Sequence, residues 1–162
     1  MEDILLKKGQ SLLNLGSPKE ALEIYELILR DKPENIEALI KKGHILGMIG
    51  RYVEAIDIYD KILSIEKSNL IALLNKGLAH HYLEQYEISI NCNDKVLQIK
   101  PQNTTALYNK ASSLVKSNKI KEGLSILEKV IKLDSSFRSK ARFDIDFENI
   151  RKTNGFKELM NI

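Results

Sequence analysis

Hydrophobic residues recur every three or four positions over roughly the first 135 residues, which is the spacing of amphipathic helices rather than strands. In the first stretch, Leu5, Gly9 and Leu12 share one face of a predicted helix. Residues 15–18 interrupt this pattern, and a second apolar stripe then runs from residue 21 to residue 29. The pattern therefore predicts a helix, a tight turn and a second helix.

Local signals place the ends of these helices. Ser17 is predicted as an N-cap, with Pro18 at the first helical position and Glu20 completing a capping box. Pro33 is predicted to end the second helix. An asparagine precedes each later first helix as a predicted N-cap: Asn35, Asn69 and Asn103.

The same helix pair recurs with a period of 34 residues. Identical leucines mark one column of the repeat: Leu5, Leu39, Leu73 and Leu107. Lysines followed by a small residue mark another: Lys8, Lys42, Lys76 and Lys110. We therefore predict one repeat domain over 1–162, with repeats 2–35, 36–69, 70–103 and 104–137 and a C-terminal capping segment 138–162.

These positions resemble the tetratricopeptide repeat family. The family pattern places large apolar, small and large apolar residues in the first helix, then alanine and an aromatic in the second, then proline. The first repeat reads Leu5, Gly9, Leu12, Ala21, Tyr25 and Pro33. The resemblance covers about residues 2–135. It implies an all-α fold, a right-handed α-solenoid of antiparallel helix pairs, and a non-catalytic module that binds a protein or peptide.

The resemblance also implies a concave groove lined by one face of each first helix. In the first two repeats these positions are Asp3, Leu6, Gln10, Leu13, Asn14, Glu37, Ile40, His44, Gly47 and Met48. In the last two they are Ile71, Leu74, Leu78, His81, Tyr82, Thr105, Tyr108, Ser112, Val115 and Lys116. Half of these positions are large and apolar and only three are charged, so the face is expected to bind an apolar segment of a partner.

Members of the family that grip the terminal carboxylate of a chaperone peptide need cations in the groove. The matching positions here hold Leu6, Gln10, Ile71 and Asn75, so that binding mode is excluded. Bulky side chains that fill the groove remain an alternative to a bound partner.

The third repeat departs from its neighbours at three positions. His80, Ser89 and Asn93 replace apolar or small residues at a helix–helix seam. Because an unpaired buried polar group costs about 1–3 kcal/mol, we expect His80 to be paired locally, with Asn93 as a candidate partner. A loosened third repeat is the alternative.

The tail, residues 138–162, has a different composition. All four phenylalanines lie in the last 26 residues: Phe137, Phe143, Phe147 and Phe156. We predict two short helices broken at Asn154–Gly155, which cover the apolar face of the last repeat. A tail that reaches into a groove, of its own chain or of a partner protomer, is the alternative.

The net charge limits the classes of partner that the sequence favours. The net charge of +3 comes from 25 basic and 22 acidic residues, so nucleic acid is not favoured as a partner. A nucleic-acid-binding protein that uses the lysine column is nevertheless kept as an alternative, as is a scaffold that self-associates through its tail.

No catalytic pattern is present in the sequence. The three histidines, His44, His80 and His81, have no metal-ligand spacing, and there is no phosphate-binding loop or nucleophile motif. We expect no enzyme, no cofactor and no metal. A single cysteine, Cys92, and the lack of an apolar run long enough to span a membrane favour the cytoplasm.

Overall fold

A computed structural model of the chain describes residues 2–162, and these residues form ten α-helices, one 3₁₀ helix and no strand. The first eight helices are α1 Glu2–Asn14, α2 Pro18–Asp31, α3 Ile36–Met48, α4 Tyr52–Ile65, α5 Leu70–Tyr82, α6 Tyr86–Ile99, α7 Thr104–Lys116 and α8 Ile120–Leu133. The remaining elements are α9 Ser136–Phe143, a 3₁₀ helix Ile145–Ile150 and α10 Asn154–Met160. The predicted all-helical architecture is confirmed.

The chain divides into two compact units, residues 1–79 and 80–162, with the boundary inside α5. In the first unit, α1 packs on α2 and α3 packs on α4. The turn within each pair contains a glycine in the left-handed region, Gly16 with φ 74° and Gly50 with φ 78°. Gly9 and Gly43 allow the rings of Tyr25 and Tyr59 to lie directly against the first helix of each pair.

The asparagine N-caps are confirmed. The side chains of Asn35, Asn69 and Asn103 each accept a hydrogen bond at 2.9 Å from the backbone N–H three residues later. The Ser17 capping box is wrong, because Ser17 occupies the N-cap position without a side-chain cap bond. Its backbone N–H donates a hydrogen bond to Leu12 O in the preceding turn. This bond holds Ser17 at φ −105° and ψ 65°, whereas Asn35 has the extended conformation of an N-cap.

The lysine column forms ion pairs between successive repeats. Within the first unit, Lys42 Nζ lies 2.8 Å from Glu26 Oε1, and Lys76 pairs with Asp60. Within the second unit, Lys110 Nζ lies 2.6 Å from Asp94 Oδ1. In each case the lysine is on the first helix of a repeat and the acid is on the second helix of the repeat before it. These ion pairs therefore connect neighbouring repeats within each unit.

We expect Lys42 and Glu26 to be energetically coupled. A double-mutant cycle with Lys42→Gln and Glu26→Gln, followed by urea unfolding, should give a coupling of about 0.3–1 kcal/mol. The coupling should shrink in high salt because the pair is partly exposed. A coupling of zero at low salt would contradict an energetic role for the column.

In the second unit, the tail packs on α8. A buried apolar cluster combines helix residues with tail residues: Leu127, Val130, Ile131, Ala141, Phe147, Ile150, Phe156 and Met160. The predicted break at Asn154–Gly155 is wrong, because these two residues begin α10 and Thr153 is its N-cap. The chain breaks instead at residues 151–153. Residue 155 packs closely on α8, since a Cβ there would lie 3.2 Å from Leu124 Cδ1 and would require a small shift of that side chain.

Candidate functional site

The predicted groove residues of the first unit lie on α1, α3 and the first part of α5, a surface that we call the apolar face. Leu6, Leu13 and Ile40 are half-buried and pack against the core of this unit. Gln10 accepts a hydrogen bond at 2.6 Å from Lys41 Nζ and donates one at 3.0 Å to Asn14 Oδ1. The polar end of α1 is therefore already fixed to α3.

Three large side chains project from the apolar face into solvent. Met48 is 59% exposed, Ile71 is 50% exposed and Leu78 is 37% exposed. Leu74 is half-buried, and the polar residues Asn14, Glu37 and His44 are exposed. Side chains do not fill this surface completely, so it can accept an apolar ligand.

The predicted groove residues of the second unit are mostly inaccessible. Tyr108 is only 3% exposed, and Ser112, Val115 and His81 are also buried. These four residues therefore do not line an open groove in this structure. Of the positions predicted here, Tyr82, Thr105 and Lys116 remain exposed.

Val115 is buried because it packs within its own repeat. A Cβ built at Gly123 on α8 would lie 2.6 Å from Val115 Cγ2, so the glycine provides the space that the valine occupies. In the earlier repeats the residues that correspond to Gly123 are Ala21, Ala55 and Ser89.

The other three residues are buried because the tail lies on them. Tyr108 Oη donates a hydrogen bond to Asp144 Oδ2 at 2.6 Å, and Ser112 Oγ donates to Asp146. His81 Nε2 lies 3.1 Å from Asp146 Oδ2. The tail therefore covers α8, and it also reaches the predicted groove face of its own chain.

These contacts affect the ionisation of the groups involved. Burial, together with the hydrogen bond to Asp144, raises the pKa of Tyr108 far above its usual value, so the phenol remains a donor. Burial alone would raise the pKa of Asp146, but hydrogen bonds from His81 and Ser112 hold that pKa below its usual value. Asp146 is therefore a carboxylate near neutral pH.

The polar residues of the third repeat are buried and mostly paired. His80 is paired locally, as predicted, but Asn93 is the wrong partner. His80 Nδ1 lies 2.6 Å from Gln85 Oε1, whereas Asn93 Nδ2 donates to the Ser89 carbonyl at 2.9 Å. Asn93 is one helical turn from Ser89, and this local bond pairs its side-chain NH₂ group, whereas its Oδ1 is buried without a hydrogen-bond partner among the described residues.

Sequence reasoning missed Ser113, which links this region to the site. Ser113 Oγ lies 2.9 Å from both Ser89 Oγ and His81 Nδ1. The signal was weak, because the repeat column of Ser113 holds Ile45 and Ala79 but also Ser11. Only the complete burial of Ser113 in the fold indicates a polar partner nearby.

No helix within residues 2–162 is long and apolar enough to cross a membrane. The same residues contain no group of three or more His, Cys, Asp or Glu side chains arranged to hold a metal ion.

Solved structures with this arrangement of helices are numerous. A MamA double mutant from RS-1 is 23% identical, with a TM-score of 0.83, and the match covers 99% of this chain and 93% of that one. MamA from Desulfovibrio magneticus RS-1, from residue 41 to its end, is 22% identical with the same coverage and a TM-score of 0.82. YrrB, described as a TPR protein with an unusual peptide-binding site, is 17% identical, with 97% and 81% coverage and a TM-score of 0.73. Likeness at these identities establishes the fold alone.

Sequence comparison identifies the family. No curated protein matches the chain. A sequence model of the tetratricopeptide repeat, however, matches residues 2–35, 70–103 and 104–137, which is more than half of the chain. Residues 36–69 lie outside these ranges, but α3 and α4 form the same kind of helix pair there. The repeats and the fold support a protein–protein interaction scaffold. The chain belongs to the tetratricopeptide repeat family.

Proposed function

We propose that this chain is a non-catalytic scaffold that binds an apolar segment of a partner protein on the apolar face of α1, α3 and α5. The observation that carries the proposal is the exposure of Met48, Ile71 and Leu78 on one surface of residues 1–79. Large apolar side chains that recur on one surface of a repeat protein are typical of a binding site.

The chemistry of the apolar face suggests how a partner binds. Ile71 and Leu78 are two turns apart on α5, so they can contact successive apolar side chains of an extended or helical segment. Burying such a side chain fully contributes about 1.5–3 kcal/mol. Exposed Asn14, Glu37 and His44 provide polar groups at the margin that can fix the direction of the segment.

The two alternative functions lack a supporting contact. Lys42, Lys76 and Lys110 already pair with acidic side chains of the same chain, which weakens the case for a free basic surface that binds nucleic acid. Self-association through the tail has less support, because Phe147 and Phe156 are buried in their own unit and only Phe143 of the tail phenylalanines is exposed among the described residues.

Charge introduced on the apolar face should abolish binding. Peptides selected on the wild-type chain from a displayed random library should bind an Ile71→Glu/Leu78→Glu variant at least about tenfold more weakly, because a carboxylate is costly to bury against apolar side chains. Both residues are exposed, so helicity measured by circular dichroism should not change.

A matched control tests whether binding depends on the apolar face or on exposed apolar side chains in general. Val53 and Ile65 are exposed apolar residues on α4, and Val53→Glu/Ile65→Glu adds the same charge outside the apolar face. This control should bind the selected peptides as the wild type does. Equal binding by the Ile71→Glu/Leu78→Glu variant, or equal losses in both variants, would refute the proposal.

A further inference from the structure

We propose that His81, Tyr108 and Ser112 form a receptor site for two carboxylates spaced two residues apart, which Asp144 and Asp146 of the chain's own tail fill in this structure. The ligand class is a partner segment with the pattern acid, any residue, acid. The site lies entirely within residues 80–162, and it does not depend on the function proposed for the apolar face.

The donors match two carboxylates individually. Tyr108 Oη donates to Asp144 Oδ2 at 2.6 Å, while Ser112 Oγ and His81 Nε2 both reach Asp146 Oδ2, the latter at 3.1 Å. Hydrogen bonds to an ionised acceptor are shorter and stronger than those between neutral groups. An asparagine at either ligand position would lose this charge, so the site should discriminate between carboxylate and amide.

The repeats, not the tail, orient the His81 donor. Ser89 Oγ lies 2.9 Å from Ser113 Oγ, which in turn lies 2.9 Å from His81 Nδ1. When Ser113 donates to Nδ1, the ring proton stays on Nε2, which is the nitrogen that faces Asp146. Ser89, Ser113 and His81 belong to α6, α7 and α5, so the histidine remains oriented whichever carboxylate is bound.

This arrangement gives a role to polar groups that a purely structural repeat would not need. Ser89 and Ser113 are fully buried, in columns that are small or apolar in the other repeats apart from Ser11. Buried hydroxyl groups are costly unless they are hydrogen-bonded, and here their bonds lead to the carboxylate site.

Phe147 anchors the tail beside the carboxylate site. The ring of Phe147 contacts the ring of Tyr108 edge-on, with centroids 5.7 Å apart, and is buried. By contrast, Phe143 and Ile145 are exposed, although they flank the two acids. The site therefore contacts the acids at positions 144 and 146 of the segment and leaves the residues between and before them free to vary.

A peptide added in trans to the full chain tests this site. The probe is a synthetic peptide with the sequence of residues 141–152, and its matched control has asparagine at the two aspartate positions. The receptor is the full chain with Asp144→Asn and Asp146→Asn, which keeps the tail but removes its carboxylates. This receptor should bind the probe at least about tenfold more tightly than the asparagine peptide, as measured by calorimetry. The wild-type chain should bind the probe at least about tenfold more weakly than the receptor does, because its own aspartates fill the site.

Variants of the receptor locate the binding. Adding His81→Gln should remove most of the discrimination between the two peptides, whereas adding His44→Gln, at an exposed histidine in residues 1–79, should leave it unchanged. Adding Ile71→Glu/Leu78→Glu should also leave it unchanged, so failure of the apolar face and failure of this site are distinguishable. The proposal is overturned if the receptor is folded and binds neither peptide, if it binds both equally, or if His81→Gln has no effect.

Discussion

Replacing Gly43 with leucine should destabilise the first unit by about 3 kcal/mol, because overpacking a closely packed interface forces side chains or backbone to move. A Cβ at Gly43 would lie 2.6 Å from Tyr59 Cε1 and 2.9 Å from Cζ. Tyr59 is itself buried against the core, so its ring cannot move aside without disturbing its own neighbours. The cost exceeds the roughly 1 kcal/mol that a helix gains when glycine is replaced by a better helix former.

Gly47 provides a matched control in the same helix, since a Cβ there would meet nothing within 4 Å. Gly47→Leu should therefore leave stability unchanged or raise it by up to about 1 kcal/mol. Urea unfolding followed by far-ultraviolet circular dichroism measures both variants. Similar effects of the two substitutions would contradict the view that Gly43 is required for close approach of the helices.

Much of the fold could be predicted because the sequence repeats it four times. A leucine or asparagine recurring every 34 residues gives several independent indications of the same helix boundary. The N-cap bonds of Asn35, Asn69 and Asn103 confirm those boundaries. Ser17 was misassigned because the turn before it, closed by a backbone bond to Leu12, fixes a conformation that residue type alone does not reveal.

The covered part of the candidate site could not be predicted from the repeat pattern. The bond between Tyr108 and Asp144 joins residues 36 positions apart, and the 3₁₀ helix that presents the acids has no repeat counterpart. Column comparison treats Tyr108 as equivalent to Ile40, which is partly exposed. The difference arises only because the tail of this chain returns to α7 after covering α8.

Replacing Phe147 with alanine should destabilise the second unit by about 3–5 kcal/mol, the usual cost of removing a fully buried phenylalanine. Phe147 is 0% exposed, and its ring lies 5.7 Å from the ring of Tyr108 and 6.1 Å from that of Phe156, measured between centroids. The cavity would open between α7 and the tail. Amide hydrogen exchange should therefore rise in the 3₁₀ helix and α7 more than in α1–α4.

Phe143, which is 79% exposed, is the control, and Phe143→Ala should change stability by no more than about 0.5 kcal/mol. Equal effects of the two substitutions would contradict the packing of the tail on α7.

A comparison of the stability of Phe147→Ala with that of Asp144→Asn/Asp146→Asn also tests the carboxylate site. If Phe147 holds the tail in place while the aspartates serve as exchangeable ligands, the alanine variant should lose far more stability than the asparagine variant. A loss of the same size in both would mean that the aspartates are part of the structural cap, and that an external segment could not replace them without unfolding this unit.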